Sequence, residues 1–326
     1  MKKIKYIAEL CQNHNGKEKN LDEMLDRCVK SEADYVKLQY IFSKNLVFRP
    51  IFETGFSKGK KILSIKRPFK EEYNRLKNLE LKNKVYEKFV TKCEKLGVKP
   101  MITCFSRDNV NTLYNMGYKD IKIASYDCSS FEMIREMSKK FDNIVMSTGA
   151  TYLDEINKSC EILNKSKKIF SLLHCVTIYP TPINKINLKK IDFLKNKFKV
   201  PVGFSDHSES FNKKKNLASK LSIYFGAQII ERHITILPKD MSKDGKVSIL
   251  PEDIPEIKKF SKLTKDDQKI HLKDIYNFDV KNLENKKLDL DLSHEELLNR
   301  YFYKGRFGSI LSNKRIVYNW DEVSLS

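Results

Sequence analysis

Short apolar runs alternate with amphipathic stretches along most of the chain. Runs at 6–12, 35–41, 99–105, 120–126, 143–148, 170–176, 200–205 and 227–234 predict strands. Ile144-Val145-Met146 and Phe170-Ser171-Leu172-Leu173 typify them. Such largely apolar runs suit parallel strands covered on both faces. Between the runs, apolar residues recur at helical spacing over 21–31, 71–96, 110–116, 131–139, 152–163, 188–195 and 212–224. Eight strand–helix alternations predict an α/β fold, a (β/α)₈ TIM barrel with a short C-terminal extension. An open doubly wound sheet would carry a Gly-rich first turn, and the sequence has none. The expected division is a barrel over 1–255 and a helical, irregular extension over 256–326, packed on the barrel. The irregular stretch 44–70, with Pro50, Gly55, Gly59 and Pro68, reads as an active-site loop or lid.

Composition narrows the class. Of 326 residues, 40% are hydrophobic and 32% charged, and no run nears the roughly 18 apolar residues of a membrane span. Glu9 interrupts the only N-terminal stretch that would have to form an apolar signal core, so a cytoplasmic protein is expected. Seven scattered cysteines, with no Cys-x-x-Cys pair, read as reduced thiols. Cys104, Cys128 and Cys175 read as small buried residues. The net charge of +20 comes from lysines spread along the chain, without an Arg-rich arm or a zinc-finger spacing. It therefore points away from nucleic acid and leaves room for an anionic substrate.

In a barrel, chemistry belongs at the carboxyl ends of the strands. Polar residues cluster at each predicted end: Glu9, Asn13, His14 and Asn15; Lys37 and Gln39; Thr103 and Ser106; Lys122, Ser125 and Asp127; Ser147 and Thr148; His174, Thr177 and Tyr179; Ser205, Asp206 and His207; Glu231, Arg232 and His233. All are expected to face one mouth. His207 and His233, on neighbouring strands, could share a divalent metal and activate a carbonyl, or each be hydrogen-bonded at the rim. Lys37 and Lys122 stand in apolar strands, which is unfavourable unless they meet an anion. With Ser125, Ser147 and Ser205 they could cradle phosphate and carboxylate groups. A Schiff base or a salt bridge to Glu9 or Glu231 remains open for either lysine. Glu9 and Glu231 could move a proton or serve as counter-ions.

Ala8-Glu9-Leu10-Cys11-Gln12-Asn13-His14-Asn15-Gly16 resembles the opening motif of the sialic acid synthase family. Val36-Lys37-Leu38-Gln39, Lys122-Ile123-Ala124-Ser125, Ser147-Thr148-Gly149, Leu172-Leu173-His174-Cys175 with Tyr179-Pro180-Thr181-Pro182, Gly203-Phe204-Ser205-Asp206-His207-Ser208 and Glu231-Arg232-His233-Ile234-Thr235 follow in the family's order. The resemblance implies a transferase that condenses phosphoenolpyruvate with an N-acetylated hexosamine-type aldehyde to give a nonulosonic acid. It implies Mn²⁺ on His207 and His233, with Mg²⁺ or Co²⁺ as alternatives. Lys37, Thr103, Lys122, Ser125, Ser147 and Ser205 would then contact phosphoenolpyruvate. Asp127, Tyr179 and Asp244 would face the sugar, Thr177 would be a further substrate-binding residue, and Glu9 or Glu231 would handle water, with Glu9, Glu231 and Lys122 as the catalytic residues. Asp127 stands where the family has Glu, Tyr126 where it has Gly, and Thr177 where it has Asn or Ser. The family's C-terminal antifreeze-like domain, which lends an arginine to a partner subunit, is expected to be absent. A homodimer in surface polysaccharide synthesis is the expected setting. Another metal-dependent or Schiff-base aldolase or lyase is the alternative.

Overall fold

The structure is a computed structural model that describes residues 4–210 and 212–325. Met1–Lys3, part of the N-terminal stretch read above, lies outside the described residues. Eight parallel strands form a closed barrel: β1 Lys5–Cys11, β2 Tyr35–Tyr40, β3 Lys99–Cys104, β4 Asp120–Ile123, β5 Asn143–Ser147, β6 Ile169–His174, β7 Val202–Asp206 and β8 Ile229–His233. Each pairs with its chain neighbour, and β1 closes the ring on β8. Among the described residues, no helix is long and apolar enough to cross a membrane.

Period-two alternation sorts each strand between two environments. Leu10, Val36, Leu38, Ile102, Ile121 and Met146 join the apolar layer under the helices. The inward set begins with an apolar plug of Ile7, Tyr35, Met101, Val145, Leu173 and Ile229. Two residues further along several strands the inward positions turn polar, with Glu9, Lys37, Thr103, Ser147 and Glu231. Parallel register holds them at one height: Glu9 lies opposite Lys37, Thr103 opposite Lys122, and Glu231 opposite Ser205. The helices cover the outside with one apolar stripe each. Glu18–Lys30, for example, buries Leu21, Met24, Leu25 and Cys28.

Three sequence expectations need correction. The helical pattern over 71–96 is two helices, Phe69–Lys77 and Asn83–Lys95. The chain breaks between them, where Glu80 accepts hydrogen bonds from the backbone N and Oγ of Ser43 at 2.8 and 2.5 Å. The helix expected from 212 begins at Leu217. The Asn212 side chain there accepts from the backbone N of Lys214 at 2.8 Å, a turn that competes with helix. The fourth strand stops at Ile123, and Ser125–Asp127 forms a 3₁₀ turn.

After β8 the helices Ile254–Phe260 and Lys265–Tyr276 add Ile254, Ile257, Phe260 and Leu272 to the apolar layer of the barrel. The last helix, His294–Tyr303, opens on a capping box in which Ser293 and Glu296 satisfy each other's backbone N–H groups. It then returns over the barrel mouth. Asn299 Nδ2 donates to the carbonyl of Thr177 at 2.6 Å, and Arg300 Nη1 to that of Ala150 at 2.8 Å. The 44–70 segment carries a short helix, Ile51–Thr54, and a small hairpin, Phe56–Lys58 with Lys61–Ser64. It packs on this same helix through Phe52 against Tyr301 and Phe302.

Candidate active site

The mouth of the barrel encloses a cavity of about 400 Å³. Its floor is a buried polar network. Lys37 Nζ forms an ion pair with Glu9 and donates to Thr103 Oγ1 at 2.8 Å. Lys122 Nζ donates to Ser147 Oγ at 2.6 Å and to the carbonyl of Ile123 at 3.0 Å. Glu231 lies between the two lysines, 3.7 Å from Lys37 Nζ and 3.8 Å from Lys122 Nζ, and accepts from Ser205 Oγ at 2.8 Å. Its Oε2 has no hydrogen-bond partner. Burial alone would raise the Glu231 pKa, but the adjacent Lys122 and Lys37 outweigh it and hold the carboxyl down at about 2. Burial pulls Lys37 down to about 7, against the attraction of Glu231. Two carboxylates and two lysines with hydroxyl donors form an organised charge pattern that water does not screen.

Gly149 makes one wall possible. A Cβ at this position would collide with Cys175 Sγ and stand 3.0 Å from Ser125 Oγ. Its backbone N donates to Ser125 Oγ at 3.2 Å instead.

Above this floor, the His207 and His233 rings lie edge to face, 5.3 Å apart between centroids and inclined at 77°. Burial, and after it the neighbouring His233, lowers the His207 pKa to about 3. Burial lowers that of His233 as well. Both rings are therefore neutral near pH 7, as metal ligands must be. The Nδ1 atoms of both are buried without a partner. His207 Nε2 lies 3.2 Å from the Tyr179 hydroxyl. The residues present thus fit a divalent metal, with His207 and His233 as the first candidates to hold it.

The barrel itself is shared with known proteins. The profile of the NeuB family matches residues 24–268. The chain belongs to the NeuB family. This NeuB-family chain is 32% identical to the N,N'-diacetyllegionaminic acid synthase of Campylobacter jejuni over 253 residues, 76% of this chain and 72% of that protein. It is 31% identical to the pseudaminic acid synthase of the same organism over 250 residues, 76% and 70% of the two chains. Among solved structures, the N-acetylneuraminic acid synthetase of Leptospira borgpetersenii superposes with a TM-score of 0.68 at 26% identity, covering 92% and 91% of the two chains.

Within the NeuB-family chain, most of the residues singled out from sequence line one cavity: Glu9, Lys37, Thr103, Lys122, Ser125, Ser147, Tyr179, Ser205, His207, Glu231, His233 and Asp244. Asp127 and Thr177 are not among its lining residues. The 3₁₀ turn after β4 directs Asp127 toward Ser130 Oγ and Asn319 Nδ2, which donate to it at 2.9 and 2.8 Å. Thr177 is fully buried.

The expectation that every polar strand end faces the mouth also needs correction. Arg232 and Asp206 form a fully buried ion pair, joined by Ser208 and by Ser219 of the helix Leu217–Tyr224. His174 likewise turns to the carbonyl of Ile186, at 2.8 Å. These residues alternate with the cavity-facing ones and so point the other way.

Several lining residues were not singled out from sequence. Cys11 and Gln12 follow β1's glutamate, and Arg67 and Arg75 come from the segment between β2 and β3. Lys243 comes from the loop after β8, while Asn299, Tyr303 and Arg306 come from the C-terminal extension. Cys11 carried a readable signal, since it lies two residues beyond Glu9 on the same strand face. The extension carried none, because no local pattern encodes its return.

Proposed function

We propose that this chain condenses phosphoenolpyruvate with the aldehyde of an N-acetylated hexosamine-type sugar, giving a nonulosonic acid and phosphate. The observation that carries the reading is the floor network, in which Lys37 and Lys122 stand with Thr103, Ser147, Ser205 and Ser125 beside Glu9 and Glu231. Buried lysines flanked by hydroxyl donors suit a small molecule that carries both a phosphate and a carboxylate. The membership of the family, whose curated relatives are synthases of legionaminic, pseudaminic and N-acetylneuraminic acid 9-phosphate type, supports the same chemistry.

In this reading the C3 of phosphoenolpyruvate forms the new bond to the aldehyde carbon. Water adds at C2, and phosphate leaves with the bridging oxygen by cleavage of the C2–O bond. A divalent metal held by His207 and His233, Mn²⁺ first among the candidates, would supply Lewis acidity toward the acceptor's carbonyl. The lysines hold the phosphate and carboxylate, and they favour the charge of the leaving group. Glu231, with its free Oε2, is placed to hold and orient the water. Glu9 is already engaged by Lys37 and by the backbone N of Cys11 at 2.6 Å, and so keeps Lys37 in place. The Tyr179 hydroxyl borders the acceptor side.

Phosphate release from phosphoenolpyruvate, assayed over a panel of N-acetylated sugars with and without added metal, tests the proposal. Release that requires both sugar and metal supports it, and release independent of sugar refutes it. The burial of Lys37 on the cavity floor, 2.8 Å from Thr103 Oγ1, leaves one second reading, a Schiff-base aldolase. Borohydride trapping of a substrate adduct on Lys37 would decide for that reading.

A further inference from the structure

The two histidines are not the only potential ligands above the floor. Cys11 Sγ lies 2.7 Å from Asp244 Oδ2, and His233 Nδ1 lies 3.9 Å from the same oxygen. Among the described residues, Cys11, His233 and Asp244 are the group of potential ligands whose donor atoms all fall within 4.8 Å of one another. His233 is only 7% exposed, yet its Nδ1 has no hydrogen-bond partner. The backbone at Cys11 is in the left-handed region, with φ 51°, where the β1–β2 register shifts. A non-glycine residue in that region is strained by roughly 1–2 kcal/mol unless its surroundings hold it there.

We propose that Cys11 and Asp244 are metal ligands alongside His233 and His207, forming a thiolate–carboxylate–imidazole centre. The inference rests on the reading that the two histidines hold a metal, and it names the class of ion. Metal binding would displace the Cys11 proton to solvent, so that thiolate and carboxylate together balance a divalent charge. A thiolate donor selects Zn²⁺, Co²⁺ or Fe²⁺ over Mg²⁺ and over the Mn²⁺ that the two histidines alone would put first. The alternative is a simple thiol–carboxylate hydrogen bond with no metal on either group.

The test strips the full-length protein with chelator and titrates Co²⁺, reading stoichiometry and the near-ultraviolet sulfur-to-cobalt charge-transfer band. One Co²⁺ per chain with that band is expected, and a large excess of Mg²⁺ should not displace it. Cys11→Ser should abolish the band and weaken binding at least tenfold. Asp244→Asn should weaken binding while keeping the band. If Cys11→Ser fails to fold, the presence of the band in the unaltered protein and in Asp244→Asn still decides. Co²⁺ that binds in a histidine-dependent way without the band overturns the thiolate while leaving the two-histidine reading intact. No Co²⁺ binding overturns both.

The part of the cavity lining that comes from outside the barrel strands carries a separate signal. Arg67, Arg75, Lys243 and Arg306 belong to it. The last three share one carboxylate, Glu72, which lies 2.9 Å from Arg75, 3.8 Å from Lys243 and in direct ion contact with Arg306. Arg306 is buried and its Nε has no partner. Lys37 and Lys122 are already matched by Glu9 and Glu231, so the positive excess sits on these loop and extension residues.

We infer that the acceptor sugar carries an anionic group, phosphate or carboxylate, that seats among these four cations. Calorimetry without phosphoenolpyruvate, so that no turnover occurs, comparing an N-acetylated hexosamine, its 6-phosphate and a hexuronate, tests this separately from the reaction. At least tenfold tighter binding of one anionic sugar is expected, and its identity distinguishes phosphate from carboxylate. Arg67→Gln, at an exposed position, should weaken that binding at least fivefold. Equal binding of neutral and anionic sugars would overturn the inference without touching the condensation chemistry.

Discussion

The Oε1 of Glu231 lies 3.8 Å from the Nζ of Lys122, across the barrel interior from β8 to β4. Lys37 stands 3.7 Å from the other oxygen of the same carboxylate. One carboxylate therefore keeps two buried lysines close together, which two like charges would otherwise resist. The arrangement keeps both cations ready for an incoming anion.

Glu231→Gln should leave the lysines with only Glu9 as a counter-ion. Removing one member of a buried charge network destabilises by about 3–5 kcal/mol. The Glu231 pKa is held at about 2, below its ordinary value of 4.5. Its stabilising contribution is thus present above pH 4.5 and lost as pH falls toward 2. Acid unfolding followed by circular dichroism should show this loss in the unaltered protein and a shallower pH dependence in the variant.

Lys122→Met should keep the fold but lower turnover by about 10²–10³-fold, the usual effect of removing one preorganised charge donor. The Ser147 hydroxyl, which accepts from Lys122 at 2.6 Å, would lose its orientation as well. Steady-state phosphate release measures both kcat and KM.

Asp127→Asn should change turnover by less than about twofold, because the group sits outside the cavity; a surface-like tolerance of this kind is typical away from functional contacts. Burial raises the Asp127 pKa to about 6, above its ordinary 3.8. The folded state therefore binds more protons between these values, and stability falls as pH rises from 3.8 to 6. The asparagine still accepts from Asn319 and Ser130, so the variant should lose that fall and melt at or above the unaltered protein at pH 7. Melting temperatures at pH 4, 5, 6 and 7 check the sign.

Gly149→Ala should push Cys175 and Ser125 apart, since the added Cβ has no room between them. Overpacking of this kind destabilises by about 1–3 kcal/mol. KM for phosphoenolpyruvate should rise more than kcat falls, because Ser125 is a binding group in the proposed reaction.

The barrel and its floor were legible in the sequence because both follow from period two. Once Glu9, Lys37, Thr103, Lys122, Ser147, Ser205 and Glu231 are placed on strands, their convergence is geometric. The same rule, applied strictly, would have turned Arg232 and Asp206 outward and brought Cys11 inward. Asp127 was misplaced because a 3₁₀ turn replaces the last residues expected of the strand. Arg306 and Tyr303 were not legible at all. Tyr303 stacks on Tyr126 at 4.8 Å across 177 positions of sequence, a contact that only tertiary packing specifies. The helix break at Glu80 was hidden for the same reason, since its partner, Ser43, lies beyond any local window.

The most direct test of the condensation uses phosphoenolpyruvate labelled with ¹⁸O in the oxygen that bridges C2 and phosphorus. It is incubated with metal-loaded protein and an acceptor sugar, and both products are read by mass spectrometry. The account predicts that the label leaves in the phosphate, and that a new acid appears with the mass of the sugar plus the three-carbon unit. Label retained in the acid would mean that the P–O bond is cut instead. That outcome, or phosphate formed without any new acid, would contradict the account.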